Sequence, residues 1–259
     1  MERKKLIGID INLGTYSDFV DQIIDRACSS NHSGYICVAN VHMLIEAYQS
    51  PAFAEIINGA YLATPDGVPL RWAFKLLHGI DQERIAGMDL LSDLLSAAEK
   101  QNVPVAFYGG KSEMLEKAKL YLVKAHPNLH IAHIYSPPFR MLTVEEENEI
   151  VQNINNSGAR LVFVILGCPK QEKWMASMQN RLQAVMIGIG GALPVLAGVY
   201  KRAPGWMQHA GLEWLFRLGQ EPKRLFKRYA RTNSMFIYLL MKEKLKRRKN
   251  NILNSRSID

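Results

Sequence analysis

Short apolar runs alternate along this chain with stretches whose apolar residues recur at helical spacing, and the alternation holds from about residue 35 to about residue 196. The runs at 35–39, 61–63, 103–108, 130–135, 160–166 and 184–189 predict six strands. Gly, Pro, Asn or Asp follows each run closely and a helical pattern comes next. That order predicts a mostly parallel sheet with crossover helices, an α/β, Rossmann-like fold. Thr143 with Glu146 forms a capping box ahead of a helix at 144–155, and Asn40 and Asp66 each stand where an N-cap would.

Past about Leu196 the rhythm stops, and aromatic and basic helix formers take over. Pro222 stands where a helix can begin. Leu225, Tyr229, Thr232, Phe236 and Leu239 then share one face, with Arg224, Arg228 and Arg231 beside it. Such a helix suits an interface or a phosphate site, and it equally suits plain docking on a core. The expected division is an α/β body at 1–195 and a basic helical appendage at 196–259.

Charge sharpens that division. Residues 201–259 hold fifteen Lys or Arg against four Asp or Glu, a net of +11, while the preceding two hundred net −3. A basic tail on a nearly neutral body expects an anionic partner: a phosphate-bearing ligand, a nucleic acid or an acidic membrane. At 259 residues and 48% apolar composition, one substantial core with an appendage is affordable, and 22% charged residues exclude a disordered chain. Met1-Glu2-Arg3-Lys4-Lys5 opens no signal peptide, and the longest apolar stretch of the tail, 235–241, is far short of the roughly 20 residues that span a bilayer. A cytoplasmic or peripheral protein is expected. Cys28, Cys37 and Cys168 form no C-x-x-C pair and read as buried residues of a reducing compartment, with Cys168 either a reactive loop thiol or one more of these.

In an α/β sheet the chemistry gathers beyond the carboxyl ends of the strands. Asn40 follows the first run, and Thr64-Pro65-Asp66-Gly67-Val68-Pro69 follows the second. Asp66 reads either as a general base facing a cleft or as a helix cap. Gly109-Gly110, Gly167-Cys168-Pro169-Lys170-Gln171-Glu172 and Gly188-Ile189-Gly190-Gly191 follow the third, fifth and sixth runs. The first and last open into helices, so their N–H groups could cradle a diphosphate, or simply make tight turns. Gln171 and Glu172 read as a polar hand for a sugar or base, or as ordinary polarity at a helix start. Arg84 reads as a phosphate contact or a surface ion pair. No G-x-G-x-x-G, G-x-x-x-x-G-K-[ST] or D-x-D is present, which excludes the usual dinucleotide, P-loop and metal-diphosphate signatures.

Ala39-Asn40, Thr64-Pro65-Asp66-Gly67, Glu83-Arg84-Ile85-Ala86-Gly87, Gly167-Cys168-Pro169-Lys170-Gln171-Glu172, Lys201-Arg202-Ala203-Pro204 and Gly211-Leu212-Glu213-Trp214-Leu215-Phe216-Arg217-Leu218 occur in this order. On these motifs, from about residue 6 to about residue 229, the chain resembles the WecG/TagA/CpsF family of bacterial glycosyltransferases. The resemblance implies transfer of a sugar from a UDP-sugar to a polyprenyl-diphosphate-linked saccharide, with inversion, without metal or cofactor, in cell-surface polysaccharide synthesis. It implies peripheral attachment to the cytoplasmic face of an anionic membrane. Asp66 falls on the family's base, and Asn40, Arg84 and Gln171 on its substrate-binding residues, with Thr64 and Glu172 beside them as further substrate contacts. The appendage from about residue 196 falls on a segment that closes over the active site. Arg202, Arg217 and Arg224 are then expected to stabilise the departing diphosphate, and Gly109, Gly110, Gly188, Gly190 and Gly191 to form the nucleotide loops. Leu193-Pro194 stands where family members often have an aromatic-Asp pair, and Val38 where they have Thr. Both lie near the expected donor pocket, so the donor stays open between N-acetylmannosamine and another hexose. A nucleic-acid-binding module and a nucleotide-binding hydrolase are the rival readings; self-association is compatible with any of them.

Overall fold

The computed structural model describes residues 1–30 and 33–256, with side chains in the last helix described through Lys249. The predicted appendage is therefore described to Arg256, and its last three residues lie outside the described ones. The chain opens with a hairpin, β1 (Arg3–Leu6) paired antiparallel to β2 (Ile9–Asn12). Its two turn residues, Ile7 and Gly8, both take positive φ, which matches the twist of a two-residue hairpin. Asn12 accepts the Ala63 N–H at 2.8 Å and fastens the hairpin to the sheet that follows.

Six strands build that sheet: β3 (Gly34–Ala39), β4 (Leu62–Pro65), β5 (Val105–Tyr108), β6 (Ile131–Tyr135), β7 (Leu161–Val164) and β8 (Val185–Gly188). They match the six predicted runs within a few residues. Every pairing is parallel and the spatial order is β4-β3-β8-β7-β5-β6. Five of the six strands are buried at every residue, as a parallel sheet covered on both faces requires.

The covering helices are α1 (Tyr16–Cys28), α2 (Val41–Gln49), α3 (Pro51–Asn58), α4 (Val68–His78), α5 (Gly87–Lys100), α6 (Ser112–Ala125), α7 (Val144–Asn156) and α8 (Lys170–Met178). Beyond β8 the described chain is helical: α9 (Ala192–Leu196), α10 (Gly205–His209), α11 (Glu213–Gln220) and α12 (Pro222–Arg256). One face of the sheet is covered by α1, α5, α6 and α9, around Phe107, Phe163, Val185 and Ile187. The other is covered by α2, α3, α4, α7 and α8, around Tyr108, Val162 and Met186, and α12 adds Phe236 and Leu239 to it. Thr143 and Glu146 close the expected capping box of α7, and the Asn40 side chain caps α2 by accepting the Met43 N–H at 3.2 Å.

The long helix α12 starts at Pro222, as its sequence predicts, and lies along α2 and α4. Leu225, Thr232, Phe236 and Leu239 turn inward. At about 100° per residue the opposite side carries Phe226, Ile237, Met241 and Leu245 in a second apolar stripe. All four are exposed. Lys223, Lys227 and Lys244 lie on the same side of the helix. No helix among the described residues is long and apolar enough to cross a membrane.

Candidate active site

The strand order sets four loops side by side at the carboxyl edge, those after β4, β3, β8 and β7. They carry Asp66, Asn40, the Gly188 to Gly191 turn, and Gln171. The Asp66 N–H donates to Ala39 O at 2.7 Å, joining the ends of β4 and β3. The segment before α5 is stitched to β4 by the Ile85 N–H on Pro65 O, at 2.9 Å.

Asp66 does not cap its own helix, as one reading of the sequence expected. Gly67 holds that position with φ 90°, a conformation that favours glycine and turns the chain into α4. The Asp66 carboxyl instead receives the Gly87 N–H at the start of α5. Burial first, and then the Glu213 carboxylate, push its pKa up to about 7, against the pull of Arg84, Arg217 and the Gly87 N–H. A carboxyl poised near neutrality between cations can take a proton from a hydroxyl and pass it on.

Arg84 is shared. Its guanidinium donates to Asp89 at 3.2 Å and to Glu213 of α11 at 3.1 Å. Arg202 also pairs with Asp89, and donates to Gln208 at 3.2 Å. These contacts strap the appendage to the body beside Asp66. Gly211, before α11, packs on Val68, where a Cβ would stand 3.1 Å from that side chain. Arg217 is placed differently: its guanidinium lies on Gly191, where any Cβ would collide with it. Among the described residues it has no ion pair of its own. Arg224 lies on the first turn of α12, where it pairs with Glu221, whose other partner is Tyr200.

The remaining expected contacts divide in the same way. Gln171 lies across the end of β8, where a Cβ at Gly188 would stand 2.6 Å from its Nε2 and one at Gly190 3.2 Å from its Oε1. Glu172, expected as a second substrate contact, is 0% exposed and sits behind Gln171, accepting its Nε2 at 2.7 Å. Thr64 is likewise 0% exposed, beneath Asp66, with no partner for its hydroxyl. Both side chains therefore lie behind the rim in this structure. Gly109 is accounted for by packing, because a Cβ there would meet the Ile165 backbone at 2.9 Å; Gly110 follows it in the same turn.

Leu193 and Val38, expected near the donor pocket, are both buried. Leu193 is 0% exposed in the core under α9, and Val38 packs in the same core against Gly87. Neither lines a pocket, and of the Leu193-Pro194 pair only the half-buried Pro194 remains near the rim. Of the three cysteines expected to be buried, Cys37 is buried, Cys168 is half-buried and Cys28 is exposed; burial pushes the Cys168 thiol up, and it donates to Glu172. Among the described residues no three His, Cys, Asp or Glu side chains gather to hold a metal ion. An open recess of about 330 Å³ lies between Lys111, Ser112, Ser136 and Phe139. It opens beyond β5 and β6, and five strand spacings of about 4.8 Å put β6 roughly 24 Å from β4, outside the Asp66 cluster.

Glu213 was visible in the sequence only as part of a motif. Its carboxylate reaches Arg84 across 129 positions, a meeting that no local pattern signals.

A parallel α/β sheet that gathers a carboxyl and guanidinium groups beyond its carboxyl edge has its candidate site where α/β enzymes bind their ligands. Residues 4–250 match the model of the glycosyl transferase WecG/TagA/CpsF family, and the chain belongs to that family. A Bacillus spizizenii protein named N-acetylglucosaminyldiphosphoundecaprenol N-acetyl-beta-D-mannosaminyltransferase is 31% identical over 86% of this chain and 86% of its own. Proteins of the same name from Staphylococcus aureus strain MW2 and Bacillus subtilis strain 168 are 30% and 29% identical. They cover 94% and 95% of this chain, and 94% of their own length in each case.

Proposed function

We propose that this protein transfers N-acetylmannosamine from a UDP-linked donor to a polyprenyl-diphosphate-linked N-acetylglucosamine, with inversion and without a metal, in the synthesis of a cell-surface polymer. The observation that carries the reading is Asp66, a carboxyl at the end of β4 that receives the Gly87 N–H and lies in the fields of Glu213, Arg84 and Arg217. Asp66 removes the proton from the acceptor hydroxyl while that oxygen bonds to the anomeric carbon from the face opposite UDP. The bond from the anomeric carbon to the diphosphate oxygen breaks, and its electron pair leaves with UDP. Arg217, lying on Gly191 without a carboxylate of its own, stabilises that charge, and the Gly190-Gly191 turn receives the diphosphate. Asn40, whose Oδ1 is engaged in capping, keeps its amide N–H groups for the substrate.

Residues 196–259 act in this reading as the closing appendage, and α12 as the membrane contact. Its outward stripe of Phe226, Ile237, Met241 and Leu245, flanked by lysines, is the arrangement of a helix lying in an anionic interface, here the cytoplasmic leaflet. The nucleic-acid alternative has no comparable support at the strand ends.

The test is incubation of the full chain with UDP-N-acetylmannosamine, UDP-N-acetylglucosamine or UDP-glucose and a lipid-linked N-acetylglucosamine acceptor, in chelator, followed by mass spectrometry of the lipid product. A product heavier by one N-acetylhexosamine, formed from the first donor, is expected. No product with any donor, or activity abolished by chelator and restored by Mg²⁺, overturns the corresponding part of the reading.

A further inference from the structure

Glu172 is a carboxyl for which the reaction so far has no use. It is sealed from solvent, and burial pushes its proton affinity up against the hydrogen bonds it receives. Oε1 accepts Gln171 Nε2 at 2.7 Å, the Cys168 thiol donates to the carboxyl, and Oε2 has no partner. A buried polar group left partly unsatisfied is costly, which makes its one well-made bond to Gln171 the feature to explain.

Gln171, itself only 4% exposed, is held at both ends. Its Oε1 accepts the Gly167 N–H at 3.1 Å while Nε2 is bound by Glu172. The amide lies against the bare backbone of Gly188 and Gly190, which leave it no room for a side chain beneath. A planar amide has two orientations, related by a half turn. The reversed one would aim N–H at the Gly167 N–H and set two oxygens against each other at Glu172, so Gly167 and Glu172 together select the observed one. One amide hydrogen and one carbonyl lone pair of Gln171 are left over.

We propose that Glu172 is a positioning residue for the transfer reaction. By holding Nε2 it fixes the Gln171 amide over the end of β8, with the spare N–H and lone pair set for polar atoms of the bound donor. The proposal rests on the transferase reading above.

Steady-state kinetics on the full chain, with UDP affinity by calorimetry, test it. Glu172→Met should raise the donor KM and the Kd for UDP about tenfold while kcat changes less than about threefold, the scale of one lost hydrogen bond. Glu172→Gln keeps an acceptor oxygen and should recover both to within about threefold. In the Gln171→Leu background, Glu172→Met should add no further loss, because its route to the donor is already gone. Equal losses in both backgrounds overturn the proposal. Should Glu172→Met not fold, the Gln171 side-chain amide resonances of the wild type, identified by their absence in Gln171→Leu, decide it. They should shift when UDP is added, and an unmoved pair overturns it. No UDP binding by the wild type sinks the transferase reading and this proposal together, whereas UDP binding with additive losses sinks this proposal alone.

Discussion

The body and the appendage handle charge in opposite ways. The body carries little net charge, yet it sets one carboxyl, Asp66, where burial and a neighbouring carboxylate raise its proton affinity to about neutrality. The appendage carries the chain's net positive charge and brings little of it unpaired to that carboxyl. Arg202 is spent on Asp89 and Arg224 on Glu221, and the lysines of α12 face outward. Only the Arg217 guanidinium, of these candidates, meets the glycine turn without a carboxylate of its own. Net charge therefore points to a partner, while burial and pairing decide which groups are free to act on it.

The largest expected effect removes the body's contribution. Asp66→Asn keeps the shape but cannot accept a proton, so kcat should fall by roughly 10²–10⁴ while UDP affinity changes little. Loss of folding in place of rate would make Asp66 a structural acceptor for the Gly87 N–H. Removing the appendage's contribution comes next. Arg217→Ala should lower kcat by roughly 10²–10³, the scale of losing one donor to a developing anion, with the fold intact by melting temperature. A change confined to KM would show that Arg217 binds ground state and transition state alike.

A third change tests whether one region tunes the other. Glu213 belongs to the appendage, raises the proton affinity of Asp66 and occupies Arg84. Glu213→Gln removes the repulsion and frees Arg84, and both effects favour ionised Asp66. The raised pKa requires the rate of the wild type to climb as pH rises through about 7, so the acid limb of kcat/KM should move to lower pH in the variant. An unmoved limb would mean that Asp66 is not the titrating group, or that Glu213 leaves it when the substrate binds.

The fold was largely legible because five of the six sheet strands are buried on both faces and read as plain apolar runs. The β1–β2 hairpin was not, since four-residue strands joined through Ile7-Gly8 leave too little alternation, although Leu6, Ile9 and Ile11 are fully buried. At the site, Asp66, Asn40 and Gln171 were legible from position alone, as polar residues at strand ends. Which way neighbouring side chains turn was not. Thr64, Glu172 and Leu193 have no accessible surface, and Gln171 keeps only 4% of its own, a difference that only the packed structure reveals. The Arg84 to Glu213 contact was invisible for a related reason: it forms between elements that the fold alone brings together.

The smallest expected effect distinguishes the arginines of the appendage from one another. Arg224 was expected beside Arg217 and Arg202 as a diphosphate contact, yet about half of its side-chain surface is exposed, at 54%, and it pairs with Glu221, three residues earlier and just ahead of the helix. Exposed pairs of this kind contribute about 0–1 kcal/mol. If Arg224 stays there through the reaction, Arg224→Ala should change kcat and the donor KM by less than about threefold, against the far larger loss in Arg217→Ala. If donor binding draws it from Glu221 to the diphosphate, the two variants should be comparably impaired. Glu221→Gln should then tighten UDP binding, because Arg224 no longer has a carboxylate to leave. Measured side by side under one assay, the pair Arg217→Ala and Arg224→Ala decides whether the cationic half of the site is already assembled or still has to close.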